Sequence, residues 1–411
     1  MQNVSTAREP VIVGYVRTPF GRADKKKGHL RAWRSDDMAI HVVNELIRRT
    51  GVAPSSIDEL ILGAVELIGE QAHPARNVGF LAGLPHEVTG LTIERACVTP
   101  MSAIHVAALG VIGNMGDVYI AGGLDSMTHL GIPVMRADMD MMEVIATPGT
   151  LMSAMDPNPK LFEMLNPMEL TGGVAAERMC DEYGISREEN DRWAHESHVR
   201  AVAAHEAGRF KDEIAPLEGL TEDGTAFTMD RDQCPRPDSS LEKIASKGTP
   251  YKPEGGKITA AAASGQADGA AAVMVMAREV AERMGLTPLA TIRGMAVAGC
   301  DPTNLVYSTV PASKKCLSRA GMRADRLDLI ECNEAFACAP IILMRELGIT
   351  DRERVNPNGG GCALGHPVGA TGARLVGHLA LELKRRRQRY GLATICGGFG
   401  QGGATLLEVN S

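Results

Sequence analysis

Aromatic side chains are scarce in this chain of 411 residues: two Trp, six Tyr and seven Phe make up 4% of it. A core with so few rings must be filled by small and flexible side chains. With 45 Gly and 21 Met available to fill it, its backbones can approach closely. Positive charge is not in excess either, and a net charge of −7 argues against the basic face that nucleic acid requires. The nine cysteines are scattered, odd in number and free of any Cys-x-x-Cys. They make a poor disulfide framework and a poor zinc site, and they favour a reducing compartment. No apolar run nears the roughly 18 residues needed to span a bilayer. Met1 to Pro10 lacks the apolar centre of a signal peptide. The expectation is a soluble cytoplasmic protein with neither nucleic acid nor membrane as partner. What is present, 44% hydrophobic and 23% charged, suits a globular protein of two or three domains.

The chain repeats itself. Gly51 closes a helical pattern and is followed six and seven residues on by Ile57 and Asp58, ahead of an apolar strand. Gly321 does the same with Leu327 and Asp328. A second pair, Val118 to Gly123 and Leu392 to Gly398, runs from an apolar strand into a double glycine. Strands alternating with helical patterns predict two α/β halves with parallel sheets covered by helices, their strand ends meeting at a shared seam. Between the halves lies a region of other character, with Met- and Pro-rich loops (Met135 to Met142, Met155 to Met168) and one strong helical stretch, Ser186 to Lys211. Ser186 with Glu189 is a capping-box signature for that helix. So much irregular chain within one domain is read as an insertion that covers a site.

Four separated segments carry reactive side chains beside turns or glycines: Cys97 before Val98-Thr99-Pro100, Asn333 in Cys332-Asn333-Glu334-Ala335-Phe336, His366 after Gly359-Gly360-Gly361, and Cys396 before Gly397-Gly398. Thr99 as N-cap and Pro100 as first helical residue place Cys97 just outside a helix, where the dipole favours a thiolate. A lone cysteine there is ordinarily a buried small hydrophobe. Asn333, at the end of a strand, is either a binding group or a turn-forming amide. The glycines around His366 permit close approach to a ligand, and they lack the Gly-Lys-Ser/Thr ending of a phosphate loop.

Taken together, these segments resemble the thiolases over nearly the whole chain, most specifically at Asn333-Glu334-Ala335-Phe336 and Gly365-His366-Pro367. The resemblance implies a duplicated αβαβα five-layer α/β fold with an inserted loop domain. Residues 1–126 would form the first half, completed by about 257–280. The insertion would span 127–256, covering the site and binding CoA, and 281–411 would form the second half. It also implies roles. Cys97 would be the nucleophile and His366 its base and oxyanion donor. Asn333 would hold a catalytic water, with Glu334 in support. Cys396 would be an acid/base of low pKa that moves the α-proton. The backbone N–H groups of Cys97 and Gly398 would form a second oxyanion hole. Ser264 and Arg236 would contact CoA, although Ala262-Ala263 replaces the family's Gly-Asn before Ser264. The implied reaction is reversible cleavage or condensation of a 3-oxoacyl-CoA, with CoA as substrate and neither metal nor redox cofactor. A homodimer or homotetramer follows from the same source, which also leaves room for a small accessory subunit like those some relatives need. A ketosynthase-like enzyme would pair its cysteine with two histidines, where Asn333 and Cys396 stand here. A non-catalytic acyl-CoA or lipid binder is the alternative of another class.

The chain departs from the family at Val98-Thr99-Pro100, around Thr171 to Gly173, and at Val306-Tyr307-Ser308-Thr309. These lie where acyl group and pantetheine would sit, so they leave the chemistry in place and the acyl group open, whether short, longer, branched or aromatic.

Overall fold

The computed structural model describes residues 8–130, 158 and 160–409. The Met-rich stretch 135–142 and the first part of 155–168 lie outside them. The strands are β1 (Pro10–Arg17), β2 (Gly21–Arg22), β3 (Glu59–Gly63), β4 (Thr89–Ile93), β5 (Val118–Ser126), β6 (Leu217–Leu220), β7 (Ala226–Met229), β8 (Ala267–Ala277), β9 (Ala290–Gly299), β10 (Leu329–Cys332), β11 (Tyr390–Gly397) and β12 (Gln401–Glu408). The helices of eight residues or more are α1 (Ser35–Thr50), α2 (Pro74–Leu81), α3 (Thr99–Ile112), α4 (Gly172–Glu182), α5 (Arg187–Glu206), α6 (Thr309–Arg319), α7 (Cys338–Leu347) and α8 (Val368–Arg386).

The main sheet runs β10-β11-β12-β9-β1-β8-β5-β3-β4, with β2 on β8, and β6 and β7 form a separate hairpin. The order reads as two like halves meeting where β1 touches β9 at Val11↔Thr291 and Ile12↔Ala290. In the first half β3 pairs β4 and β5 in parallel, and β8 then runs antiparallel between β5 and β1. In the second, β10 pairs β11 in parallel, and β12 runs antiparallel between β11 and β9. Even the outer parallel neighbour recurs, as a bridge from Ile330 to Val355 where β4 stands in the first half. The repeat read from the two glycine pairs is therefore present in the topology, and Gly51 and Gly321 both close their helices at positive φ, 68° and 61°.

The sheets are mixed, which corrects the all-parallel expectation. β12 follows β11 through the tight turn Gly398–Gly400, too short for the helical crossover a parallel pair needs.

Two helices lie between the halves. α3 packs on β3, β5, β8 and β12, and α8 packs on α3 and on β5, β8, β10 and β11. α3 is buried on nearly every side, and a helix apolar all round belongs inside. The small residues of α8 permit close contact: a Cβ on Gly377 would lie 2.1 Å from the Tyr15 ring. α1 and α2 cover the outside of the first half, and α6 and α7 that of the second. This gives five layers, helix–sheet–helix–sheet–helix. Across the middle a buried ion cluster joins Arg17 to Glu213 (2.7 Å) and Asp232 (2.6 Å).

The strong helical stretch is α5; the Ser186 hydroxyl accepts the Glu189 N–H at 3.2 Å, half of the expected capping box, while the Glu189 carboxylate is held by Arg345 at 2.7 Å.

Candidate active site

Cys97 sits in a turn that its neighbours define. The Val98 and Thr99 N–H groups donate to Arg95 and Ala96 carbonyls (both 3.0 Å), and Ala96 takes a left-handed φ of 44°. Thr99 is the first residue of α3 rather than its cap. Its hydroxyl accepts the Arg95 N–H at 2.6 Å, folding the chain back around Cys97. The N–H groups of Gly398 and of Cys97 itself reach the Cys97 sulfur.

The Cys396 loop lies directly on this turn. A Cβ on Gly397 would sit 2.9 Å from Val98 Cγ2 and 3.5 Å from Cys97 N, and one on Gly398 would sit 3.4 Å from Ala96 Cβ. Glycine is needed at Gly397 because Val98 already occupies that space. Cys396, the last residue but one of β11, is buried.

His366 follows Gly365, which turns the chain at φ 88°, and its N–H donates to Gly265 O at 2.9 Å. Its Nδ1 lies 2.6 Å from Thr371 Oγ1. The Thr371 hydroxyl donates its single proton to Pro367 O at 2.8 Å. It can therefore only accept from the ring, so Nδ1 carries the imidazole proton and Nε2 keeps its lone pair. Nε2 lies 3.4 Å from Asn333 Nδ2. Asn333 Oδ1 is buried and accepts no hydrogen bond from the described residues. The Asn333 N–H donates to Thr394 O at 2.9 Å, two residues before Cys396.

The helices that carry Cys97 and His366 meet at their starts. A Cβ on Gly372 of α8 would lie 2.7 Å from Met101 N and 2.9 Å from Pro100 Cγ of α3. Five sequence-predicted positions, Cys97, Asn333, His366, Cys396 and Gly398, thus gather on one seam. Ser264 stands beside them, its N–H on Ala335 O at 3.0 Å. Arg236 is exposed. It lies two residues from Cys234, whose sulfur is 3.3 Å from a Cβ placed on Gly365. From the insertion, Gly172 at the start of α4 lies against the Phe336 ring.

The electrostatics differ from the expectation of ready thiolates. Burial pushes the Cys97 thiol up to about 11, against the two N–H groups on its sulfur. Burial also raises Cys396, and the neighbouring Cys97 adds to it. His366 is pushed down to about 4, by burial first and by Arg374 second. Both shifts favour a neutral thiol and a neutral imidazole at rest, desolvation opposing a helix dipole worth at most about 2 kcal/mol.

Of the residues that support the site, Glu334 was expected from the sequence, and Thr371 and Asp125 were not singled out there. Thr371 aligns His366. Glu334 is held by the Trp193 indole (2.9 Å), the Ser197 hydroxyl (2.6 Å), the Asn356 amide (2.8 Å) and the Cys362 N–H (3.2 Å). Asp125, with Gln71, ties β5 to α8. Of the two not singled out, only Thr371 had a local signal, a hydroxyl one helical turn after the Pro367 carbonyl.

A thiol with N–H groups at its sulfur, an imidazole that keeps its Nε2 lone pair and a second thiol form a set suited to acyl transfer through a thioester. Comparison with known proteins gives the family. Residues 10–279 match the thiolase N-terminal domain and residues 286–409 the thiolase C-terminal domain. The 3-ketoacyl-CoA thiolase of Pseudoalteromonas translucida is 39% identical over 403 residues, 97% of this chain and 98% of the relative. That of Acinetobacter baumannii is 39% identical over 98% of each chain. Among solved structures, Bacillus anthracis acetyl-CoA acetyltransferase superposes with a TM-score of 0.85 at 36% identity, covering 98% of this chain and 99% of that one. Human mitochondrial 3-ketoacyl-CoA thiolase in complex with CoA also gives 0.85, at 32% identity and 98% of each chain. The chain belongs to the thiolase family.

Proposed function

We propose that the protein is a thiolase that cleaves a 3-oxoacyl-CoA with CoA, and runs the reverse condensation, through an acyl group on Cys97. The observation that carries this is the meeting of Cys97, Cys396, His366 and Asn333, each from a different element, on the seam between the duplicated halves. His366 Nε2 takes the Cys97 proton as the sulfur attacks the 3-keto carbon. The protonated imidazole then presents an N–H to oxygen, and Asn333 Oδ1 offers an acceptor to the water that completes this hole. The bond between C2 and C3 breaks, and Cys396 gives its proton to the departing acetyl-CoA enolate. A CoA thiol loses its proton to Cys396 and attacks the Cys97 thioester, whose oxyanion meets the Cys97 and Gly398 N–H groups. The shortened acyl-CoA leaves, and the sulfur recovers its proton from His366. The high resting values of both thiols suit this cycle, since each proton moves only when a partner atom is in place.

Relatives named 3-ketoacyl-CoA thiolase support a 3-oxoacyl-CoA substrate. The insertion 127–256 covers the site in this reading, with Ser264 and Arg236 along the path of CoA. A cytoplasmic homodimer or homotetramer fits the edge strand β4 and the exposed Phe80 and Leu81 of α2 beside it. The test is CoA-dependent cleavage of short, long, branched and aromatic 3-oxoacyl-CoAs by the native protein and by Cys97→Ala. Turnover lost with the substitution supports the reading. No turnover across the panel by native protein, with acyl-CoA still bound, sinks it in favour of a binding role.

A further inference from the structure

Asp125 is a fully buried carboxylate at the end of β5 in the first half. One oxygen accepts the Val65 N–H at 3.1 Å and the Gln71 amide at 3.0 Å; the other accepts the Gly369 N–H across the seam. Gly369 is the second residue of α8, three past His366 and two before Thr371. It must be glycine there, because a Cβ would lie 2.3 Å from Leu124 O. Gln71 is itself fixed, donating to Glu66 O at 2.9 Å and accepting the Ser126 N–H at 3.1 Å. The first turn of α8, which carries the Thr371 lock on His366, is thus moored to the half that carries Cys97.

We propose that Asp125 is a positioning residue for the acyl-transfer reaction, holding His366 in register over Cys97 through the Gly369 N–H. This rests on the thiolase reading. It has a consequence that a purely electrostatic role would not. The charge of Asp125 disfavours the Cys97 thiolate, so its removal alone would speed alkylation of Cys97. Loss of alignment would slow it instead, because His366 no longer meets the thiol. Glu66, a charged side chain that also bears on Asp125, is unchanged in the variants.

The experiment compares native protein, Asp125→Asn and Gln71→Met. It measures kcat and KM for 3-oxoacyl-CoA cleavage and the rate at which iodoacetamide labels Cys97 near pH 8, followed on the Cys97 peptide. Asp125→Asn turns an acceptor into a donor facing an N–H, and the expected result is a fall in kcat of about 100-fold, of the size a misplacement near 1 Å produces. KM should change little, and labelling should be slower than in native protein. Gln71→Met keeps the Gly369 contact but frees one side of the carboxylate. It should lower kcat several-fold in the same direction, and it carries the test if Asp125→Asn does not fold. Native kcat in either folded variant, or faster labelling in Asp125→Asn, overturns the proposal while leaving the thiolase reading intact. If the native protein turns over nothing, that reading fails, and the labelling rates still decide whether Asp125 aligns the pair.

Discussion

Thr371 Oγ1 stands 2.6 Å from His366 Nδ1 and spends its only proton on Pro367 O at 2.8 Å, so the threonine fixes which ring nitrogen can act as base. Thr371→Val keeps the shape and removes the acceptor. It leaves Nδ1–H without a partner in a buried site and lets the other tautomer form. The expected outcome is a loss of about 10- to 100-fold in kcat with little change in KM or melting temperature. Thr371→Ser should recover most of it. Steady-state kinetics of the two variants side by side check this.

The neutral resting pair has a signature of its own. In protein carrying nitrogen-labelled histidine, the His366 ring should report the neutral Nδ1–H form until the pH falls to about 4. Cys97 labelling by iodoacetamide should keep rising with pH toward about 11. A preformed thiolate–imidazolium pair would instead give a charged ring and a level labelling rate through neutrality.

The contact between α3 and α8 should tolerate no added carbon. A Cβ on Gly372 would meet the backbone nitrogen of Met101 at 2.7 Å, and backbone cannot rotate away. Gly372→Ala should cost about 1–3 kcal/mol of stability, as overpacking does. It should also lower kcat, because separating these helix starts moves His366 from Cys97. Denaturant unfolding and kinetics on the same preparation measure both.

Arg17 gives a prediction about acid. Burial alone would raise the Asp232 carboxyl, but Arg17 outweighs it, with help from His205, and holds it well below the usual carboxylate range. A folded value below the unfolded one contributes stability that is full above the unfolded value and lost as pH falls through the folded one. Arg17→Met leaves buried Glu213 with only His378 and buried Asp232 with only His205 as ionisable partners, a loss of about 3–5 kcal/mol at neutral pH. That deficit should shrink on acidification, as the stranded carboxylates take up protons. Melting temperature against pH for the two proteins checks the sign.

Much of the site was legible because its chemistry sits on local signals. Gly365-His366-Pro367, Asn333-Glu334-Ala335-Phe336 and the double glycine after Cys396 each mark a turn that presents one reactive atom. The duplication could be read from Gly51 and Gly321 because each ends a helix at positive φ, and the Asp that follows, Asp58 or Asp328, accepts the N–H that opens another strand, Val118 or Tyr390. Strand direction was less legible. An apolar run such as Ala267–Ala277 reads alike whether its neighbours run parallel or antiparallel, and only the short turn before β12 hinted at the mixture. The ionisation of Cys97 was misjudged for a different reason. A sequence shows the helix start beside it but not the depth of burial, and burial decides. Asp125 could not be found at all from the chain, since its partner Gly369 lies in the other half.

The central claim is an acyl group carried on Cys97. It is tested most directly by incubating the protein with acetyl-CoA, quenching, digesting and weighing the cysteine peptides. The account predicts one acetyl group on the Cys97 peptide, discharged when free CoA is added and absent in His366→Ala on the same timescale. An unmodified Cys97 peptide, or an acetyl group resident on Cys396 instead, would contradict it.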